Sequence, residues 1–126
     1  MKAKHLIFIL IVLLNFVLVQ SQNQNNRWYF GNKAAVDFSS STPTSITGSA
    51  MVVPEGCASV SDPASGNLLF YTDGKSVYNA LNAVMPNGSG LLGGANGSST
   101  QSALIVLFPQ NPDKYFIFTT DETFNS

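Results

Sequence analysis

Two segments of this chain repeat one order of strands and turns, and that repetition narrows its fold more than any other feature. Ala58 to Asp73 runs through a strand-like start, a turn at Pro63-Ala64-Ser65-Gly66, the apolar stretch Leu68-Leu69-Phe70-Tyr71 and a closing Thr-Asp. Ala103 to Asp121 runs the same way, through Pro109-Gln110-Asn111-Pro112-Asp113-Lys114, then Tyr115-Phe116-Ile117-Phe118, then Thr-Asp. The two starts lie 45 residues apart and the closing aspartates 48 apart. A period in the forties is the size of one four-stranded propeller blade, ~40–45 residues. Leu68 to Tyr71 and Tyr115 to Phe118 have no polar face. A sheet with one wet side should alternate apolar with polar, whereas a sheet covered on both sides need not. Blades stacked around a ring are covered in that way; a two-sheet sandwich leaves one face wet. The expectation is therefore an all-β antiparallel meander, about two blades of an incomplete β-propeller, with a small β-sandwich as the alternative.

Around these repeats the reading is coarser. Gln22 to Asn26 is polar and reads as a loose segment. Arg27-Trp28-Tyr29-Phe30-Gly31 reads as a short strand and turn, and residues 39–50 as a Ser/Thr/Gly loop with a weak strand at Thr44 to Thr47. Asp73-Gly74 marks a tight hairpin turn. Ser76 to Asn79 is a short strand that Ala83-Val84-Met85 extends as a meander. Pro86 to Thr100 holds five glycines and no convincing element, and so reads as a surface loop. The expected division is 22–57 as N-terminal strand and loop, 58–85 as first repeat, 86–100 as glycine-rich loop and 101–126 as a truncated second repeat.

The first 21 residues are read separately. Lys2, Lys4 and His5 precede the run Leu6 to Val19, interrupted only by Asn15. A membrane span needs ~20 apolar residues and a signal-peptide core ~7–15. The run fits a signal peptide over 1–21, with cleavage before Gln22 and no membrane span afterwards. Export leaves Arg27, Lys33, Lys75 and Lys114 against all seven acidic residues, a net charge of −3. Charged residues are only 10% of the chain, well below the usual ~25%. Such a surface does not suit nucleic acid.

The residue inventory limits the chemistry. His5 is the only histidine and Cys57 the only cysteine, so residues 22–126 lack a Ser-His-Asp triad, a Cys-His dyad and the usual zinc ligand sets. Cys57 reads as a small packed hydrophobe. The glycines at 88–97 lack the Gly-Lys-Ser/Thr ending of a phosphate loop. Asp62, Asp73 and Asp121 flank strands, where aspartate commonly caps turns by accepting from nearby backbone N–H groups. Asn87-Gly-Ser and Asn96-Gly-Ser match the glycosylation pattern, which matters only in a eukaryotic secretory route. Trp28, Tyr29 and Tyr78 are the candidate ligand-stacking aromatics, although strand aromatics more often serve the core. No catalytic residue, cofactor or metal site is expected.

Several of these stretches together carry a family resemblance. They are Trp28-Tyr29-Phe30-Gly31 with Asp37-Phe38, Glu55-Gly56-Cys57-Ala58, and Gly66 to Gly74 (GNLLFYTDG). Met85-Pro86-Asn87-Gly88 with Gly90-Leu91, and Ser99-Thr100-Gln101-Ser102-Ala103-Leu104-Ile105-Val106, complete the set. In order and spacing they resemble the N-terminal propeller-like region of long secreted surface proteins of gliding, Bacteroidetes-type bacteria. Such proteins continue into PKD repeats and end in a gliding-motility-associated sorting domain read by type IX secretion. Tyr78 stands where that family commonly has Trp. The resemblance implies an N-terminal fragment of a secreted or cell-surface protein, non-enzymatic, adhesive or scaffolding. It also implies an unknown surface glycan or protein as partner. Self-association of the fragment is expected on separate grounds: about two repeats cannot close a ring, and Leu68–Tyr71 and Tyr115–Phe118 would each leave an apolar face to water, with Tyr115 to Thr120 as a sticky strand. The alternative expectation is a piece of a secreted carbohydrate-active propeller enzyme whose catalytic residues lie in other blades.

Overall fold

The computed structural model describes residues 23–94 and 99–121. The expected signal peptide and the Asn96 sequon therefore lie outside the described residues. Among the described residues, a 3-10 turn at Asn23–Asn25 is followed by nine strands: β1 (Arg27–Phe30), β2 (Asn32–Asp37), β3 (Thr44–Val52), β4 (Ala58–Ser61), β5 (Leu68–Thr72), β6 (Ser76–Asn79), β7 (Val84–Ser89), β8 (Ala103–Leu107) and β9 (Tyr115–Thr119). They form three antiparallel sheets in chain order, β1-β2-β3, β4-β5-β6-β7 and β8-β9. The chain is all-β, as its sequence leads one to expect. Among the described residues no helix is long and apolar enough to cross a membrane.

Each sheet is a meander because each link is short and its turn chemistry is local. Between β5 and β6, Asp73 Oδ1 accepts from the backbone N–H of Lys75 (2.9 Å) and Ser76 (2.7 Å), while Gly74 takes φ +84°. Between β4 and β5, Asp62 Oδ1 accepts from Ala64 N (3.1 Å) and Ser65 N (2.6 Å). Both aspartates thus spend an oxygen on backbone donors that the turn would otherwise leave unpaired.

The middle sheet lies between the other two, and its side chains divide between two separate cores; the register shift at Val60/Ser61 breaks strict alternation and puts Leu68 with Tyr71 rather than with Phe70. Toward the first sheet, Leu68 and Tyr71 pack with Tyr29, Ala35, Met51 and Val53. Toward the third, Val60, Phe70 and Val77 meet Leu91, Ile105, Tyr115 and Ile117. Tyr115 approaches Phe70 edge-on at 5.3 Å between ring centroids. Burying one such Leu or Phe contributes about 1.5–3 kcal/mol, so both interfaces matter to stability. The strands in closest touch across these interfaces are the first of each sheet, β1 against β4 and β4 against β8.

Three expectations need correction. The stretch 39–50 is mostly strand: β3 runs from Thr44 to Val52 and is the longest of the nine. β7 reaches Ser89 through Pro86, Asn87 and Gly88, so the glycine-rich loop starts later than residue 86. Proline lacks an N–H to donate and is tolerated there because β7 is the edge of its sheet. Finally, the two apolar strands are not alike in cover. Four of the five β5 residues are buried, from both faces of the strand, whereas β9 alternates half-buried with exposed residues.

Candidate functional site

Alternation along β1 separates Trp28 from Tyr29. Trp28 pairs with Val36 and Tyr29 with Ala35, so adjacent aromatics leave opposite faces of the first sheet. Tyr29 is buried and stacks on Tyr71 at 4.5 Å, and Tyr71 in turn stacks on Tyr78 at 5.0 Å. The three rings form a column between the first and middle sheets. The Tyr71 hydroxyl, at its centre, donates to Asn82 Oδ1 (2.8 Å) and accepts from Ala50 N (2.9 Å). The Tyr78 hydroxyl donates to Asp73 Oδ2 (3.2 Å). Burial pushes the phenols of Tyr29 and Tyr78 above their ordinary value.

Trp28 has the opposite fate. Its indole N–H donates to Asn25 O (2.8 Å), its ring leans on Phe38 at 5.0 Å, and it is 54% exposed. Beside it lies a shallow pocket of about 220 Å³ lined by Asn25, Trp28, Tyr29, Phe30, Cys57 and Ser59. Of the three aromatics singled out from sequence, Trp28 and Tyr29 share this pocket and Tyr78 does not. Ser59 closes its floor, accepting from Tyr29 N (3.3 Å) and donating to Arg27 O (2.8 Å) across the two sheets. The Cys57 thiol is half-buried, and burial pushes its pKa up. It is therefore a poor nucleophile.

A second pocket, about 400 Å³, lies under Leu91 and Leu92 and is lined by Lys75, Ser76, Gly93, Gly94 and Asp121. Its wall is the link into the third sheet. Gly93 N donates to Gly74 O (2.9 Å), and the Ser102 hydroxyl reaches the carbonyls of Gly56 and, at 3.3 Å, of Asp73. Among the described residues no group of three His, Cys, Asp or Glu side chains is placed to hold a metal ion.

Two outward sheet faces carry exposed apolar side chains. On the third sheet, Leu104 pairs with Phe118 and Val106 with Phe116, and all four are exposed together with Phe108. Phe116 lies 5.0 Å from Phe108 and 5.8 Å from Phe118. On the first sheet, Trp28, Phe30 and Phe38 are exposed beside half-buried Val36. The sequence points to an apolar face left open at Tyr115–Phe118, and Phe116 and Phe118 are exposed there; it does not point to the face at Trp28, Phe30 and Phe38, because an apolar strand does not announce which of its faces is covered. No family model, curated protein or solved structure matches this chain.

Proposed function

We propose that the chain builds a propeller-type fan of β-sheets serving outside the cell as a non-enzymatic adhesive or scaffolding module, its partner a surface glycan or protein. One observation supports this above the rest: a four-stranded meander covered on both faces by neighbouring sheets, with the first strands β1, β4 and β8 side by side. A sandwich has two layers and needs only one such interface. Successive blades of a propeller, by contrast, meet face to face around a channel. The apolar run Leu6 to Val19 and the resemblance to secreted surface proteins of gliding bacteria support an extracellular location.

Expression of the leader-bearing chain in a gliding bacterium, followed by fractionation and N-terminal mass analysis, tests the location. The expected product begins at Gln22 and is removed from whole cells by added protease. A chain retaining Met1 in the cytoplasm or membrane would sink the proposal. For the adhesive role, cells bearing the chain should attach to surfaces better than cells lacking it; equal attachment would argue against it.

A further inference from the structure

Met85 to Gly88 of β7 lie between the pairs Val84–Tyr78 and Ser89–Ser76, a span for which β6 supplies Val77 alone. The extra length is taken up as a bulge in the edge strand of the middle sheet. Geometry narrows which residues can stand there. Asn87 has φ +57°, a left-handed conformation that asparagine tolerates better than most residues. At Gly88 a Cβ would stand 2.9 Å from Met85 O and 3.0 Å from Val77 O, so any side chain there would need the backbone to move. Pro86 has one backbone dihedral locked by its ring. The bulge thus favours an Asn-Gly pair at the edge of the sheet.

That pair carries its own chemistry. With no side chain on Gly88, its backbone nitrogen can reach the side-chain carbonyl carbon of Asn87. After losing its proton that nitrogen bonds to Cγ, the Cγ–Nδ2 bond breaks, ammonia leaves and a five-membered succinimide ring closes. Water then opens one of the two ring carbonyls, giving aspartate or isoaspartate, the latter with one more carbon in the main chain. The sum is asparagine plus water to an acid plus ammonia, with no oxidant or reductant. Nearby asparagines are held back. Asn79 Oδ1 accepts from Leu81 N (2.9 Å) and Ala83 N (3.0 Å), and Asn82 Oδ1 accepts from the Tyr71 hydroxyl. Both precede an alanine, whose Cβ hinders the attack. Asn87 is exposed, and its side chain has no hydrogen-bond partner among the described residues.

We propose that Asn87-Gly88 is a site of spontaneous covalent modification, converted to aspartate and isoaspartate at a rate set by opening of the β7 bulge. The ring needs Gly88 N on the same side of the Asn87 Cα–C bond as Cβ. Left-handed backbone holds the two on opposite sides, so the bulge guards the residue it selects. Opening an edge locally costs less than unfolding the whole domain. Conversion therefore proceeds in the folded protein, but more slowly than in a denatured chain. Each event adds a negative charge to the rim of the middle sheet.

The test holds the purified chain at mildly alkaline pH, with and without guanidinium chloride. Mass spectrometry of its fragments, with enzymatic methylation of isoaspartate, places each conversion. Asn96-Gly97-Ser98 repeats the tripeptide Asn87-Gly88-Ser89, so in denaturant the two sites should convert at one rate and calibrate each other. In native protein Asn87 should convert measurably, but at least about tenfold more slowly than in denaturant. Pro86→Gly frees the locked dihedral and should raise the native rate about two- to fivefold, with no change in denaturant. Asn87→Gly suits the left-handed conformation and should abolish the product while leaving the melting temperature unchanged. An Asn87 that stays intact in native protein for months would overturn the proposal. Native conversion as fast as in denaturant, or a Pro86→Gly chain that keeps the wild-type rate, would do the same. If Pro86→Gly does not fold, low guanidinium concentrations replace it. The rate should then rise before the global transition, and a rise only at that transition would overturn the gating by β7.

Discussion

Ser61 and Ser102 are both fully buried, yet their hydroxyls have opposite surroundings. Ser102 reaches the carbonyls of Gly56 and Asp73, which flank the paired Ala58 and Thr72, tying the third sheet to one end of the middle one. Ser61 Oγ has no hydrogen-bond partner among the described residues. Desolvating a hydroxyl without a partner costs about 1–3 kcal/mol, whereas one net hydrogen bond contributes about 0.5–1.5 kcal/mol. In urea titrations Ser102→Ala should therefore lose about 1–2 kcal/mol, and Ser61→Ala should be neutral or gain up to about 1 kcal/mol. The reverse order would mean that the Gly56 and Asp73 contacts contribute nothing to stability. Cys57 gives a second measurement at this scale. Burial pushes its thiol up, a backbone hydrogen bond at Gly31 offsets part of that, and the charge of Asp73 adds to it. A thiol reagent at neutral pH should label Cys57 slowly in native protein and quickly in denaturant. Equally fast labelling in both would place the thiol outside the Tyr29 core.

Among the elements, β1 and β2 carry an ion pair at one end of their ladder. Arg27 Nε donates to Asp37 Oδ2 at 3.1 Å, and the two residues face each other in the ladder. Asp37 titrates below the ordinary carboxylate value; hydrogen bonds from Ser39 do most of this, and the Arg27 charge adds to it. A carboxyl depressed in the folded state contributes stability above its unfolded value, ~3.9, that is lost as pH falls through the lower folded value. Asp37→Asn should thus melt lower than wild type at pH 7, and the gap should narrow below about pH 3. A gap that persists in acid would assign the loss to packing instead.

The same elements mark how far the sequence is legible. β5 reads directly, because Leu68 to Tyr71 is apolar on both faces and both faces are covered. β3 does not, because only Ser49 and Met51 of its nine residues are buried and the rest resembles a Ser/Thr loop. β7 carries Pro86 and Gly88, residues that argue against a strand unless it lies at an edge, and edges belong to tertiary structure. At the candidate site the sequence picks out Trp28 and Tyr29 together. Period-2 alternation sends one to solvent and the other to the core, and which goes where depends on the position of the middle sheet. Tyr71, the centre of the ring column, stays hidden inside a run that reads simply as apolar.

For the whole molecule, the order of sheets in space follows the order in the chain, and every sheet-to-sheet interface joins sequence neighbours. Such a linear array is held by nearest-neighbour terms, as in repeat proteins. An end sheet can open while the other two remain packed, but the middle sheet cannot be exposed without breaking both of its interfaces. Native-state amide exchange should therefore form a gradient. Protection should be highest at Phe70 and Tyr71 in β5 and should fall outward to β8 and β9 on one side and β3 on the other, spanning local fluctuation to global unfolding. Uniform protection across the nine strands would indicate one indivisible cooperative unit. If the gradient holds, cover on both faces of Leu68–Thr72 makes β5 a kinetic keystone: the sheets on either side exchange protons and meet proteases first, while this five-residue strand sets the lifetime of the fold.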